Sequence, residues 1–219
     1  MKNKQIHVFA GHYGSGKTEI ALNFALKKRA EGKSVVIIDI DIVNPYFRTN
    51  DAANILRDKG IRLIANGFAS SNVDMPVVPC TATGVFETDE EIVIFDMGGD
   101  DDGAYAIGQY SEYFKKYGYS MHLIFNARRP MTPDAKSIFE LAQRIEAVSR
   151  LRFSDIYNNT NLAKITEQEI LMSGVQIAGE LSDMMKIPVA YHCGTRDVIK
   201  NFPVGLKTFE ISIIVKMPF

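Results

Sequence analysis

The chain has 219 residues, of which 46% are hydrophobic and 23% charged, and its formal net charge is −1 at pH 7. This length is enough to bury a large core, and we expect a single domain over residues 1–219. The nearly neutral balance disfavours a nucleic-acid partner, because a non-specific nucleic-acid binder needs a basic surface.

Nothing in the sequence predicts export or membrane insertion. Residues 1–6 are polar and run directly into a strand pattern, so we predict no signal peptide. No apolar run approaches the roughly 20 residues that span a bilayer. Cys80 and Cys193 lie far apart, which argues against a zinc or iron–sulfur site and favours two buried thiols. We therefore expect a soluble, cytoplasmic protein with no membrane partner.

Short β-branched runs alternate with longer helical patterns along the chain, which is typical of βαβ units. Several runs are almost continuously apolar, as in strands that helices cover on both faces. We therefore predict an α/β fold with a mostly parallel sheet. The predicted strands are Gln5–Ala10, Ser34–Ile40, Ile61–Ala65, Glu91–Met97, Met121–Asn126, Phe153–Asn158, Ile187–Tyr191 and Glu210–Val215. Residues 66–88 are predicted to form a loop that carries a short helix, and their role is not assigned.

Three of the predicted helices have recognisable ends. The first, Thr18–Glu31, has an apolar stripe and stops at a glycine. The second begins with Thr132 as its N-cap and Pro133 at its first helical position. The third opens with a capping box at Thr166–Glu169, and Pro188 lies beyond its far end.

A glycine-rich segment, Gly11–Thr18, lies between the first strand and the first helix and fits the pattern G-x-x-x-x-G-K-[ST]. Glycines let the backbone curl so that its N–H groups point at phosphates, and the helix N-terminus adds partial positive charge. Lys17 would reach the β- and γ-phosphates, and the Thr18 hydroxyl would bind Mg²⁺. An ordinary glycine-rich turn is the alternative. The candidate phosphate-binding residues are Gly11, Gly14, Ser15, Gly16, Lys17 and Thr18.

Acidic residues end two of the predicted strands. Asp96 follows an apolar run, as a Mg²⁺-binding Walker B aspartate does, and the N–H of Gly99 in Asp-x-x-Gly could bond a γ-phosphate. Asp39 and Asp41 are two residues apart, so their side chains would point to the same side of the strand. A structural role in a turn or helix cap is the alternative for each of these aspartates. Residues 100–102 are also aspartates, and stabilisation of a helix N-terminus by negative charge explains at least one of them without catalysis.

These segments, in this order, resemble the MinD/ParA/CobQ–CobB group of P-loop ATPases. The four segments with the resemblance are Gly11–Thr18, Val35–Asp41, Ile92–Gly99, and Phe125-Asn126 with the helix after Pro133. Their order agrees from residue 5 to about residue 192. The resemblance implies a doubly wound sheet with nucleotide at the carboxyl ends of the strands. It also implies that Lys17 and Thr18 are the P-loop lysine and metal ligand, that Asp96 is the Walker B acid, and that Asp39 or Asp41 orients the attacking water.

The second residue of the glycine-rich segment departs from that group. Proteins of the ParA and MinD type have a lysine there that contacts nucleotide across a dimer, whereas this chain has His12 followed by Tyr13. Arg48 is a candidate for the missing cation, and a homodimer is left open. The basic membrane helix of the MinD type is also missing, because Glu210–Val215 is predicted as a strand.

The bound base is predicted to be adenine. Guanine-specific relatives have Asn-Lys-x-Asp after a late strand, and this sequence has no such motif. Asn158 and Asn159 stand where the family places an adenine-bonding Asn, although an Asn-rich turn is an equal alternative. With ATP and Mg²⁺ as cofactors, the sequence favours an ATPase switch whose protein partner is unknown. A CobB-like phosphotransferase or ligase is the alternative, and a nucleotide-binding module without turnover is a third.

Overall fold

The central feature of the computed structural model is one eight-stranded sheet in which all neighbouring strands are parallel. The structure describes residues 4–40, 50–65, 84–99 and 101–214. Asp41, Arg48, Asp100 and Cys80 lie outside these ranges, as do residues 66–83 of the predicted 66–88 loop. What the sequence predicts for those residues stays a prediction.

The strands are β1 (Gln5–Ala10), β2 (Val35–Asp39), β3 (Arg62–Ala65), β4 (Ile92–Asp96), β5 (Ser120–Phe125), β6 (Asp155–Asn158), β7 (Val189–Gly194) and β8 (Thr208–Glu210). Their order in the sheet is β3-β2-β4-β1-β5-β6-β7-β8. In the sheet, β2, β3 and β4 lie on one side of β1, and β5, β6, β7 and β8 lie on the other side. In open sheets of this kind the crevice at the reversal lies at the carboxyl ends of the strands, and it is the usual ligand site.

The helices are α1 (Lys17–Ala30), α2 (Asn50–Asp58), α3 (Asp101–Gly108), α4 (Ser111–Tyr117), α5 (Ala135–Ser149), α6 (Gln168–Met185) and α7 (Arg196–Ile199). The prediction of a parallel α/β sheet with helices on both faces is confirmed. One hydrophobic cluster joins the sheet to α1 and α2, and the other joins it to α3, α4, α5 and α6.

The continuous apolar runs of the central strands follow from this double cover. Within β2, Val35 and Ile37 belong to the cluster under α1, whereas Val36 and Ile38 belong to the opposite cluster. Successive side chains of a strand point to opposite faces, so a strand covered on both faces needs apolar residues at every position. All five residues of β2 and all five of β4 are buried.

Two predicted helix starts are wrong in their capping residues. The N-cap of α5 is Asp134, whose carboxylate accepts a bond from the Ser137 backbone N–H at 2.8 Å, and not Thr132. Thr132 instead donates its hydroxyl to the carbonyl of Asn126 at 2.9 Å. The capping box at Thr166 does not form either, because that hydroxyl bonds Ala163 O at 2.6 Å and closes a short 3₁₀ turn. In both cases a nearer backbone group satisfies the threonine hydroxyl first.

The last predicted strand, Glu210–Val215, is also wrong in its bounds, because β8 ends at Glu210. Ile211 still donates its N–H to Gly194 O of β7 at 3.0 Å, and residues 212–214 then run along α1. The Ser212 N–H donates to Asn23 Oδ1 at 2.8 Å, the Asn23 amide returns a bond to Ser212 O at 2.9 Å, and Ile214 N–H donates to Glu19 Oε1 at 2.6 Å. The backbone groups of Ser212 and Ile214 therefore bond side chains of α1 and do not pair with a strand. We call residues 211–214 the C-terminal strap.

Within the described ranges, no helix has both the length and the apolar character of a bilayer span.

Three polar side chains form a partly buried chain of hydrogen bonds between α1 and the sheet. His7 Nδ1 lies 3.0 Å from His122 Nε2, and His122 Nδ1 lies 2.7 Å from Asp155 Oδ1. The His7 ring also packs on Phe24 of α1, with ring centroids 4.6 Å apart. Burial, followed by the nearby His122 and Lys28, lowers the pKa of His7 to about 3 from its ordinary 6.5. His7 is therefore neutral in the folded protein at neutral pH.

We predict that His7 makes the protein acid-sensitive. Unfolded His7 takes up a proton near pH 6.5 and folded His7 only near pH 3. The unfolded state therefore binds more protons in this window, and stability falls as the pH drops through it. Between pH 7.5 and pH 5 the loss from His7 alone should be about 2 kcal/mol. Urea unfolding of His7→Gln at both pH values should show a loss smaller by that amount than in the wild type. The exposed-loop variant His12→Gln is the control, and an equal acid loss in His7→Gln and the wild type would contradict the prediction.

Candidate nucleotide site

The turn from β1 into α1 passes so close to a neighbouring backbone at Gly11, and to a neighbouring side chain at Gly16, that a Cβ would clash at both positions. A Cβ at Gly11 would lie 2.0 Å from the carbonyl oxygen of Ile124 in β5. Gly16, the residue before α1, has φ +86° and would place a Cβ 2.3 Å from Asn159 Nδ2. The turn is held further by the Ser15 N–H, which donates to His12 O at 3.0 Å. These contacts fix the turn at the N-terminus of α1, where a helix best accommodates an anion.

Lys17 is the first residue of α1, and its side chain is only 6% exposed. Gly99, which follows β4, lies against it: a Cβ there would be 3.0 Å from Lys17 Nζ and 2.6 Å from the backbone N of Tyr13. The structure therefore brings the predicted Asp-x-x-Gly glycine to the predicted phosphate loop. A side chain at position 99 would push the loop away.

Oxygen ligands converge beside Lys17. Thr18 Oγ1 donates to Asp96 Oδ2 at 2.6 Å, and Asp96 is 1% exposed. Asp39 is also buried and stands opposite Asp96 in the register of β2 and β4. A hydroxyl and a carboxylate are hard oxygen donors, which Mg²⁺ prefers, and Mg²⁺ usually takes one or two protein ligands with the rest from phosphate and water. Thr18 and Asp96 fit that ligand set. Among the described residues no larger group of His, Cys, Asp and Glu side chains could hold a metal ion.

A cavity of about 400 Å³ opens from the glycine turn across the carboxyl ends of β6 and β7. Its volume is within the range of small-molecule sites. The end near Lys17 and Thr18 is polar and also receives the side chain of Arg129. Its lining also includes the apolar residues Ala163, Cys193, Val198, Ile211 and Ile213. Burial raises the pKa of the Cys193 thiol above its ordinary value, so the thiol is neutral at physiological pH and serves as an apolar wall.

The two predicted base-contacting asparagines have different surroundings. Asn158 is completely buried: its Nδ2 reaches Leu171 O at 3.2 Å and His192 Nδ1 at 3.0 Å, and its Oδ1 accepts from Thr160 N. The amide is used up inside the protein and does not line the cavity. The geometry therefore opposes a base contact by Asn158, and its role is to hold the loop after β6 in shape.

Asn159 does line the cavity. Its Nδ2 donates to Ser15 O at 2.7 Å, which fixes which amide atom is oxygen. Its Oδ1 is buried and has no hydrogen-bond partner in the described part of the chain. A buried acceptor without a partner costs free energy unless a ligand donates to it. Asn161 lines the cavity as well, but its amide bonds Asn159 O and Ala163 N.

Sequence reasoning missed two parts of this cavity. One is Arg129, whose Nε donates to Gly14 O at 3.0 Å. The sequence feature that could have indicated it is its position just after β5. Because β5 is paired with β1 in parallel, the loops after these two strands lie side by side. The other is the wall from Ile211 and Ile213 in the C-terminal strap. The strap has no recognisable sequence motif. Its residues were predicted to continue a strand through residue 215, so their contact with the cavity was not expected.

Solved structures resemble this chain at low sequence identity. The signal recognition particle receptor FtsY from Elizabethkingia anophelis has a TM-score of 0.55 and 20% identity, covering 86% of this chain and 57% of the FtsY chain. A nucleotide-binding protein from Archaeoglobus fulgidus, in complex with ADP, has a TM-score of 0.52 and 14% identity, covering 85% and 81%. The signal recognition particle 54 kDa protein from Aeropyrum pernix, in complex with GDP, has a TM-score of 0.51 and 17% identity, covering 81% and 40%.

The chain has the doubly wound α/β fold of these structures. Neither a protein-family model nor a curated protein matches the sequence. The chain spans little more than half the length of the FtsY structure that it matches. At these identities the likeness establishes the fold alone, and the narrower resemblance to the MinD/ParA/CobQ–CobB group remains a proposal.

The close approach between the P-loop and the loop after β6 can be tested by one substitution. Gly16 and Gly32 have similar φ values, +86° and +83°, but nothing lies within 4 Å of a Cβ at Gly32. Both alanine variants should therefore lose about 1 kcal/mol of stability from the left-handed backbone. Only Gly16→Ala must also displace Asn159, and we expect a further loss of about 1 kcal/mol or more. Urea unfolding measures both variants, and equal losses would show that Asn159 moves aside freely.

Proposed function

We propose that this protein binds ATP with Mg²⁺, hydrolyses it, and works as a nucleotide-driven switch of the MinD/ParA-like kind. The observation that carries the proposal is the group formed by the glycine turn, the buried Lys17, and the Thr18–Asp96 pair at 2.6 Å. A structural core has little use for a buried lysine beside two oxygen ligands at a helix N-terminus. A triphosphate with its metal ion offsets all of their charges.

The proposed roles follow from where the groups lie. Backbone N–H groups of Gly11–Thr18 and the N-terminus of α1 hold the phosphates, and Lys17 neutralises their charge. Thr18 and Asp96 would hold Mg²⁺, which supplies charge stabilisation for the transferred phosphoryl group when it is bound. Asp39, beside Asp96 in the sheet, is the candidate that orients the attacking water. Asp41 is the second such candidate and lies outside the described residues.

Adenine is the proposed base. The missing Asn-Lys-x-Asp motif favours adenine over guanine. The unpartnered Oδ1 of Asn159 is a buried acceptor in the cavity lining that the exocyclic amine of a purine base would satisfy. Among the structural neighbours, the Archaeoglobus protein is in complex with ADP, whereas an FtsY from Elizabethkingia anophelis and the 54 kDa protein are in complex with GDP. The choice of adenine therefore rests on the missing motif.

Competition binding between ATP and GTP, followed by hydrolysis assays with no added acceptor, tests this proposal. We expect ATP to bind at least tenfold more tightly than GTP, and to be hydrolysed slowly without an acceptor. Lys17→Ala should abolish binding or turnover, because it removes a charge-assisted contact to phosphate. Circular dichroism would verify that this variant is folded. Equal or tighter GTP binding would reject the base assignment. Turnover in folded Lys17→Ala would reject the P-loop assignment, and turnover only with an added acceptor would favour a phosphotransferase or ligase.

Asp96 should matter far more for hydrolysis than for binding. We predict that Asp96→Asn lowers the rate of Mg²⁺-dependent hydrolysis by about a hundredfold or more, because the metal acts most on charge that develops in the transition state. Nucleotide affinity should change only about threefold, since the backbone N–H contacts to phosphate remain.

The two quantities should be measured on the same Asp96→Asn preparation while Mg²⁺ is titrated. Asp134→Asn is the matched control, because Asp134 caps α5 and lies away from the cavity, and asparagine also caps helices. Full hydrolysis by Asp96→Asn at low Mg²⁺ would show that Asp96 only ends strand β4 and does not take part in hydrolysis.

A further inference from the structure

We propose that Arg129 is a second phosphate-binding cation of this site, supplied by the same chain and held beside Lys17 by its bond to the P-loop. The inference rests on the proposed function, because it assigns a further contact to the same nucleotide. The P-loop itself has one lysine, Lys17, and its second residue is His12. The His12 ring is engaged locally, with Nδ1 2.7 Å from Tyr13 O.

Arg129 reaches the P-loop from the loop that follows β5. Its Nε donates to Gly14 O at 3.0 Å, and a Cβ at Gly14 would lie 3.1 Å from Nε and 3.4 Å from Cζ. The guanidinium therefore packs on a P-loop glycine, where no side chain keeps it away. It also lines the cavity together with Lys17 and Thr18.

The loop that carries Arg129 is held at several points. Asn126 is fully buried, and its Oδ1 accepts from Arg128 N at 2.9 Å and from Asn161 N at 3.2 Å. Its backbone oxygen accepts from Thr132 Oγ1 at 2.9 Å and from Arg129 N at 3.2 Å. An arginine on such a loop loses little further freedom when it binds a ligand, so it is preorganised for its target.

The charge of Arg129 has no carboxylate partner in the described part of the chain. Arg62 and Arg152, by contrast, pair with Glu90 and Glu146. A guanidinium has five N–H donors, and the bond to Gly14 uses one of them. The remaining donors suit the oxygens of a phosphate, which arginine recognises through paired bonds.

The neighbouring arginine provides the control. Arg128 is exposed, and its Nη2 donates to Ser173 on α6 at 3.0 Å. It does not line the cavity. Arg128→Gln and Arg129→Gln thus remove the same charge from adjacent positions in one loop, and only the second faces the cavity.

The experiment measures the dissociation constants of ATP and of inorganic tripolyphosphate, at low and at high salt. The proteins are the wild type, Arg129→Gln, Arg129→Lys, Arg128→Gln and Lys17→Ala. We expect Arg129→Gln to weaken both ligands about tenfold or more and to reduce the salt dependence of binding. Arg129→Lys should restore part of the affinity and the salt dependence, because it keeps the charge but not the paired guanidinium bonds. Arg128→Gln should stay within about twofold of the wild type.

Each other outcome overturns the inference in a recognisable way. If Arg129→Gln binds both ligands as the wild type does while Lys17→Ala does not, the proposed nucleotide site stands and Arg129 is no part of it. If Arg129→Gln and Arg129→Lys weaken binding equally with unchanged salt dependence, Arg129 acts only by holding Gly14. If the wild type binds neither ligand, the proposed function itself fails.

Discussion

The turn between β1 and α1 approaches three neighbouring segments closely, with a glycine at each contact, and this steric constraint organises the rest of the site. Gly11 lies on the backbone of β5, Gly16 lies against Asn159 after β6, and Gly99 after β4 lies against the turn from the other side. These contacts exist only because β1 sits in the middle of the sheet, between β4 and β5. Strand order and glycine position therefore depend on each other. A sheet with another order would bring different loops to the same turn.

The loops around the turn form one connected hydrogen-bonded layer. Asn126 joins the loop after β5 to the loop after β6, Asn158 joins the latter to α6 and β7, and Asn159 joins it to the P-loop. Buried asparagines suit this task because each amide offers both a donor and an acceptor to backbone groups that would otherwise be unpaired. The layer uses their polar groups fully, with the exception of Asn159 Oδ1. Rigid surroundings of this kind leave the cavity preformed at its polar end.

Sequence patterns predicted what depends on neighbours along the chain. The strand–glycine turn–helix unit and the fully apolar strands are local, so periodicity and residue type were sufficient to find them. The helix caps failed because Thr132 and Thr166 each had a competing backbone partner nearby in space. Arg129 and the strap were missed because their role depends on strand order, which periodicity does not contain. Asn158 and Asn159 are adjacent and identical in type, so only the three-dimensional packing separates the structural residue from the one in the cavity.

The strap determines when the cavity can be completed while the chain is being synthesised. Ile214 and Glu19, which bond each other, are 195 residues apart, so the apolar wall forms only when nearly all of the described chain has emerged. Contacts at such separation form late, because loop closure must precede them. The turn between β1 and α1 needs β1, β4, β5 and β6 and can assemble earlier. A growing chain would thus have the lysine end of the cavity before it has the wall that the strap forms.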